Sequence, residues 1–287
     1  MNVEKLRSLN DYQSLVNNRS HELSVLKNHE RELTDSFFDT GEFYTSGFSW
    51  PAQQNSTFLV DDLYGSEDRI NFRERLICQR TRLNNRTRAA LHIFSTLLTP
   101  QPNDSIYVTE QLTPLYRWLK SSYADVQGSE YLSNLEWLKL LKLKLRSFPE
   151  KLIHQDLTAL TLKGETIGHV LSFDCFEHIS DYLSAFKEVF RVLKPGGHFM
   201  FSVPFDLNRS KNLIRATLEE DGVVHHVEPE YHGDPVSKQG ILSFYTFGWE
   251  VLDELKSVGF KDAYGAVYWS IEMAYLGGPQ IMICAEK

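Results

Sequence analysis

The chain has 287 residues, of which 42% are hydrophobic and 24% charged, and its formal net charge is −8. Those proportions suit an ordinary folded chain with a sizeable core, and the acidic balance argues against binding nucleic acid through bulk electrostatics. Cys78, Cys175 and Cys284 lie far apart, with no Cys-x-x-Cys pair to suggest zinc or a redox centre. No run of about 18 apolar residues exists and the opening residues lack a basic-then-apolar leader. A cytoplasmic protein with a small-molecule partner is expected, with neither nucleic acid nor membrane as partner.

Residues 1 to about 35 are polar, with Leu6, Leu9, Tyr12, Leu15 and Val16 spaced to share one helix face. Such a face needs a partner surface, either the main domain or a second copy, so a homodimer is compatible with it. From Phe37 to Tyr64 aromatic residues alternate with Gly, Ser, Thr and Pro, a composition that suits a folded cap better than a disordered linker. Next come Arg73, Arg75, Arg80, Arg82, Arg86 and Arg88 beside an apolar series ending in Leu91, Phe94 and Leu97. These arginines read either as a solvated helix face or as a grip for a substrate phosphate or carboxylate. Residues 1–99 are expected to form an N-terminal helical and aromatic cap, and residues 100–287 an α/β domain.

In that second part, Ser105 to Thr109 reads as a strand, Leu112 to Tyr123 as a helix, Ala124 to Gln127 as a strand and Leu135 to Leu145 as a helix. Ile153 opens another strand-like piece. The clearest unit runs from His169 to Pro204. An apolar strand ends at Phe173, and Tyr182, Phe186, Val189, Phe190 and Leu193 recur at helical spacing. Lys194 to Gly197 stops that helix, and His198 to Val203 resumes as a strand. Two apolar strands joined by an amphipathic helix form a βαβ unit, which predicts a Rossmann-like, mostly parallel sheet with helices on both faces. Residues 206–243 then interrupt the alternation with a long polar excursion, and loops of that length are usually functional. A helix from Phe247 to Val258, stopped by Gly259, and strands at Ala263 to Trp269 and Gln280 to Ala285 complete the pattern.

Ligands of such sheets gather at the carboxyl ends of the strands, and a cofactor lying there needs acceptors for its ribose hydroxyls. Glu110 ends the first core strand, Glu130 follows the second, Asp156 follows the third, and Asp174, Glu177 and His178 follow the next. For any one of these acids the alternative is a helix N-cap. In the excursion, His225, His226, Glu228, Glu230, Tyr231, His232 and Asp234 form a dense cluster that reads as a metal site, an acceptor-binding lid or a solvated loop. Gly222, Gly233 and Gly240 would let a lid bend. No H-x-x-x-H pair fixes ligands, so no metal is assigned.

The run FDCFEHISDYLSAFKEVFRVLKPGGHFMFSVPF resembles class I S-adenosylmethionine-dependent methyltransferases of the methyltransferase-11 type. Glu177, His178, Ile179, Glu188 and Arg191 to Gly197 carry the likeness, which covers roughly residues 104 to 287. It implies a seven-stranded sheet with the last strand antiparallel, S-adenosyl-L-methionine as cofactor, and methyl transfer to an oxygen or nitrogen of a small-molecule or sugar-like acceptor. By position, Glu110 stands near the acid that opens the cofactor motif, Glu130 matches the ribose-binding acid, Asp156 and Leu157 match the pair beside the adenine, and Asp174 joins the cofactor set. His178 then either points into the cleft as the residue that orients the acceptor or takes its proton, or is a capping or packing histidine at the start of the helix near Ser180; Tyr231 and His232 are expected to face the acceptor. Histidine titrates near neutral pH, which suits that work.

One departure matters. The family's glycine-rich loop after the first strand is replaced here by EQLTPL, Glu110 to Leu115. Either the turn is built differently, with Gly128 and Ser129 supplying close approach at the second strand, or the chain has lost cofactor binding and serves as a binding or scaffold subunit. A nicotinamide reading fails because G-x-G-x-x-G is absent as well.

Overall fold

A computed structural model describes residues 1–133, 137–233 and 240–287. Strands β1 (Asn2–Leu6), β2 (Ser105–Val108), β3 (Asp125–Gly128), β4 (Ile167–Phe173), β5 (Leu193–Ser202), β6 (Asp262–Ser270) and β7 (Tyr275–Glu286) form a seven-stranded sheet in the order β1-β6-β7-β5-β4-β2-β3. Among the described residues no helix is long and apolar enough to cross a membrane. The chain divides into two compact units. One comprises Met1–Leu6, Asn10–Pro100 and Gly265–Met282, and the other Arg7–Leu9, Gln101–Tyr264 and Ile283–Lys287.

In the first unit, β1 pairs antiparallel with β6, so Leu6 lies on a strand rather than on the predicted helix face. Helix α1 (Leu9–Asn18) keeps Tyr12 and Leu15 on its buried side, and α2 (Ser20–Thr40) buries Leu26, Leu33 and Phe37. The aromatic stretch folds as an antiparallel ribbon, Phe43–Ser49 against Gln54–Val60. Helix α3 (Asn85–Ile93) starts where the Asn84 side chain accepts from Thr87 N. The arginine run is neither a uniformly solvated face nor a single anion grip. Arg75 pairs with Asp61, Arg86 with Glu74, and Arg88 is fully buried with its guanidinium 3.9 Å from the centre of the Phe58 ring. Arg80 and Arg82 are exposed.

In the second unit, β3, β2, β4 and β5 are mutually parallel, and Ile283 to Glu286 of β7 runs antiparallel to β5. Every residue of β2 is buried, as a strand covered on both faces requires. Helix α4 (Pro114–Ser122) is started by Thr113, whose hydroxyl accepts from Tyr116 N, with proline at the first helical position. Helix α5 spans Trp137–Ser147, and the predicted start at Leu135 lies outside the described residues. Helix α6 (Tyr182–Val192) is capped by Asp181, which accepts from Ser184 N. Its buried stripe of Tyr182, Phe186 and Val189 meets an aromatic core, with Phe186 5.0 Å from Phe176 and 5.6 Å from Phe201 between ring centres. Burying each such ring contributes roughly 1.5–3 kcal/mol.

Two boundaries differ from expectation. Lys194 to Gly197 does not follow the helix as a free stop, because α6 ends at Val192 and β5 already begins at Leu193, with a register irregularity against β4 and Gly196 at φ +74°. The strand expected at Ile153 shrinks to one parallel bridge, Glu130 with His154. Lys151, Ile153 and His154 are exposed there, so little apolar surface is available to hold a longer ladder. Helix α7 (Glu250–Val258) stops at Gly259, whose φ of +126° disfavours a side chain.

Candidate functional site

At the carboxyl end of β2 the chain turns without glycine, and side chains supply what holds it. One Glu130 oxygen, Oε1, accepts from Gln111 N at 2.8 Å and from Leu112 N at 3.0 Å. Gln111, itself buried, donates through Nε2 to Lys151 O and accepts at Oε1 from Ile153 N. The loop is thus strapped to the end of β3 through Glu130 and to the segment at Lys151 and Ile153 through Gln111. Gly128 has a packing reason to be glycine, since a Cβ there would stand 2.6 Å from Glu110 O and 2.6 Å from the Tyr116 ring. The close approach at Gly128 is therefore to protein atoms. Ser129 is buried and its hydroxyl lies 2.6 Å from Tyr107 Oη. Asp156 turns back on its own backbone, with Oδ1 accepting from Thr158 N and from Thr158 Oγ1, while Leu157 is buried. A cleft of about 850 Å³ opens beside this segment, lined by Leu132, Ser133, Ile153, His154 and Gln155 among others.

At the end of β4 the backbone bends sharply. Asp174 takes a left-handed φ of +48°, which aspartate tolerates better than most residues. Its N–H donates to Ser202 O, and Ser202 Oγ donates to Asp174 Oδ1, so the bend is tied to β5. The bend throws Phe176–His178 into a single 3-10 turn that presents Glu177 and His178 together.

The excursion is not a structureless loop. Leu213–Ile214 pairs with Tyr245–Thr246, Ala216–Glu219 with Gly222–His225, and Tyr231–His232 with Ile241–Leu242. It docks on the 3-10 turn, with Phe244 N donating to Glu177 O at 2.7 Å and His178 Nδ1 donating to Leu242 O at 2.8 Å. That docking carries His232 to Glu177. The Nδ1 of His232 is 3.4 Å and the Nε2 of His178 is 3.7 Å from Glu177 Oε1, and the two rings meet edge to face at 5.0 Å. Glu177 is fully buried, and neither carboxylate oxygen has a well-aligned hydrogen bond. Burial pushes its carboxyl above the ordinary range. The adjacent Glu177 and then Glu230, which receives His232 Nε2 at 3.0 Å, push the His232 imidazole up to about 9. With no cation bound beside Glu177, His232 is therefore cationic at neutral pH and unsuited to taking a proton.

Of the residues singled out in the sequence, the structure gathers Glu177, His178, Glu230 and His232. Tyr231 is 55% exposed and, as the strand neighbour of His232, points to the other side. His225, His226 and Glu228 are exposed, with His226 held by Thr217 Oγ1. Asp234 lies outside the described residues. Glu110, Gly128, Ser129 and Glu130 collect at the ends of β2 and β3, with Asp156 and Leu157 just past the bridge at His154, and Asp174 at the end of β4. Gln111, which sequence reasoning passed over, holds the turn.

A mostly parallel α/β sheet carries Glu110, Glu130 and Asp174 just past successive strand ends, where ligands of such sheets gather. Residues 114–201 match the family model described as a methyltransferase domain. No curated protein matches the chain. Among solved structures, it is similar to an S-adenosylmethionine-dependent methyltransferase from Mesorhizobium loti, with 16% identity, a TM-score of 0.44, and coverage of 69% of this chain and 96% of that one. It is also similar to the 1,6-didemethyltoxoflavin-N1-methyltransferase of Burkholderia thailandensis, with 15% identity, a TM-score of 0.43, and coverage of 70% and 77%. A phosphoethanolamine N-methyltransferase 2 from Haemonchus contortus shows 15% identity and a TM-score of 0.43, over 71% of this chain and 52% of that one.

Proposed function

We propose that the protein is an S-adenosylmethionine-dependent methyltransferase that methylates an oxygen or nitrogen of a small-molecule or sugar-like acceptor. The match of residues 114–201 to a methyltransferase domain carries this reading. The residues present fit the cofactor chemically. Carboxylates stand at adjacent strand ends, where ribose hydroxyls need acceptors and a cationic methionine part is favoured by negative charge. Glu130 would bind the ribose hydroxyls, Asp156 and Leu157 would lie beside the adenine, and Glu110 and Asp174 would complete the cofactor set. The inactive-scaffold alternative rested on the missing glycine loop, and a turn strapped by Glu130 and Gln111 removes that motive.

When bound, S-adenosylmethionine supplies an electrophilic methyl group on a sulfonium. This chain aligns the acceptor for in-line attack, and alignment alone can contribute roughly 7–11 kcal/mol. His178 is assigned here to touch the acceptor. Its Nδ1–H is committed to Leu242 O, so Nε2 carries the lone pair that can hold or receive the acceptor's proton. Residues 206–233 and 240–243 of the excursion would form the wall on that side.

Binding of S-adenosylmethionine or its demethylated product at micromolar concentration, measured by calorimetry, tests the reading, and absence of binding to either rejects it. Glu130→Gln keeps an oxygen for Gln111 N and Leu112 N but loses the charge. It is expected to weaken cofactor binding ten- to a hundredfold at an unchanged melting temperature, since a charge-assisted hydrogen bond contributes ~1.5–3 kcal/mol. Glu130→Ala should reduce affinity and stability together, because the turn loses its strap. Wild-type affinity in Glu130→Gln would take the ribose role away from Glu130.

The excursion supports a second expectation. Amide hydrogen exchange in residues 206–233 and 240–243 should slow when acceptor is added to the cofactor complex. Equal exchange with and without acceptor would show that this segment does not close on it.

A further inference from the structure

We infer that Glu177, His178 and His232 form a binding site for a divalent first-row transition-metal cation at the carboxyl end of β4. One carboxylate oxygen and two imidazole nitrogens, one from each residue, lie within 4.8 Å of one another. The separations from Glu177 Oε1 are 3.4 Å to His232 Nδ1 and 3.7 Å to His178 Nε2. Ligand atoms held at about 2.0–2.2 Å from one ion at tetrahedral angles stand about 3.3–3.6 Å apart, close to the two separations measured from Glu177.

Two further observations point to an ion. Glu177 is fully buried, and both of its oxygens lack an aligned hydrogen bond, an arrangement that a cation would satisfy and that is otherwise costly. The second nitrogen of each histidine is also already committed. His178 Nδ1 donates to the Leu242 carbonyl at 2.8 Å, and His232 Nε2 donates to the Glu230 carboxylate at 3.0 Å. Metal-ligating histidines are oriented in this way, with the far N–H given to a carbonyl or carboxylate so that the near nitrogen faces the ion.

The donor set also limits the ion. Two imidazoles and one carboxylate favour zinc, iron, cobalt or nickel over magnesium or calcium, which prefer all-oxygen surroundings. Three protein ligands leave at least one coordination position for water or an acceptor oxygen, as in catalytic rather than structural sites. The inference goes beyond methyl transfer and stands without it; with an ion held, His178 Nε2 is a ligand and is not also the atom that takes the acceptor's proton.

The test uses the full chain stripped with chelator and titrated with Co²⁺, whose visible absorption reports coordination, followed by displacement with Zn²⁺ under calorimetry. One Zn²⁺ per chain is expected, at micromolar affinity or tighter. Glu177→Gln, His178→Asn and His232→Asn should each abolish stoichiometric binding. Glu230→Gln, at the half-exposed second carboxylate, should weaken it about 10- to 100-fold. His225→Asn, on the exposed ribbon, should leave it unchanged. Circular dichroism of each variant reports folding, and if a ligand variant is unfolded the Glu230→Gln result decides. No stoichiometric binding to the wild-type chain, or wild-type binding in Glu230→Gln, overturns the site, and the former would mean that a histidinium–carboxylate pair seals the cluster. Binding of S-adenosylhomocysteine is measured on the same samples, so loss of the metal site and loss of the methyltransferase reading are separate outcomes.

Discussion

His178→Asn is expected to lower turnover about 10²- to 10⁴-fold while leaving affinity for S-adenosylhomocysteine near that of the wild type. Asparagine can still offer an N–H toward Leu242 O, so the docking of the excursion on the 3-10 turn is largely kept. It has no counterpart to Nε2, which lies 3.7 Å from Glu177 Oε1. A packing role would move the melting temperature and leave turnover alone, whereas a role at the acceptor moves kcat in protein that melts normally. The measurement is steady-state turnover with the acceptor once it is found, beside a thermal scan and a cofactor titration. Full activity would leave alignment alone to drive the chemistry. The remaining histidines offer poor replacements, since His232 is cationic and His225 and His226 are exposed on the ribbon.

Arg88→Ala is expected to destabilise the first unit by about 3–5 kcal/mol, the range of removing a large buried side chain. The guanidinium is fully buried. It donates to Met273 O at 2.7 Å and Ala274 O at 3.0 Å, and it lies over Phe58. Truncation leaves a cavity and strips those carbonyls of their donor, at about 1–3 kcal/mol for each buried group left unsatisfied. Arg88→Met, which fills most of the volume but donates nothing, separates the two contributions and should fall between wild type and Arg88→Ala. Urea unfolding of the three proteins provides the comparison. A loss below about 1 kcal/mol in Arg88→Ala would show that water or relaxation replaces the arginine.

The βαβ unit was legible because a strand buried on both faces is continuously apolar and an amphipathic helix repeats every 3.6 residues. The run from Ile167 to Ser202 shows both patterns. The acids at strand ends were legible for the same reason, since a strand's last residue can be located once its period is known. What could not be read was which side chains spend their polar atoms on the protein itself. Gln111 gives no local sign that it spans to Lys151 and Ile153, and Ser129 none that its hydroxyl meets Tyr107. The Glu177, His178 and His232 cluster draws on two segments about 54 residues apart, and a spacing rule for metal ligands on one helix does not cover such a pair. Arg88 sat in a basic run that composition assigns to solvent, and the apolar residues following it were the only hint that its helix is buried.

Gln111 also sets a limit on how this domain can be re-engineered. Grafting the family's glycines into residues 110–113 looks like a repair of the cofactor loop, yet Gln111→Gly would take from Lys151 O and Ile153 N the partners they have here. Each added glycine would also cost roughly 0.5–1 kcal/mol in chain entropy. The turn at 110–113 and the segment 151–155 are therefore one exchangeable module, to be transplanted between relatives together.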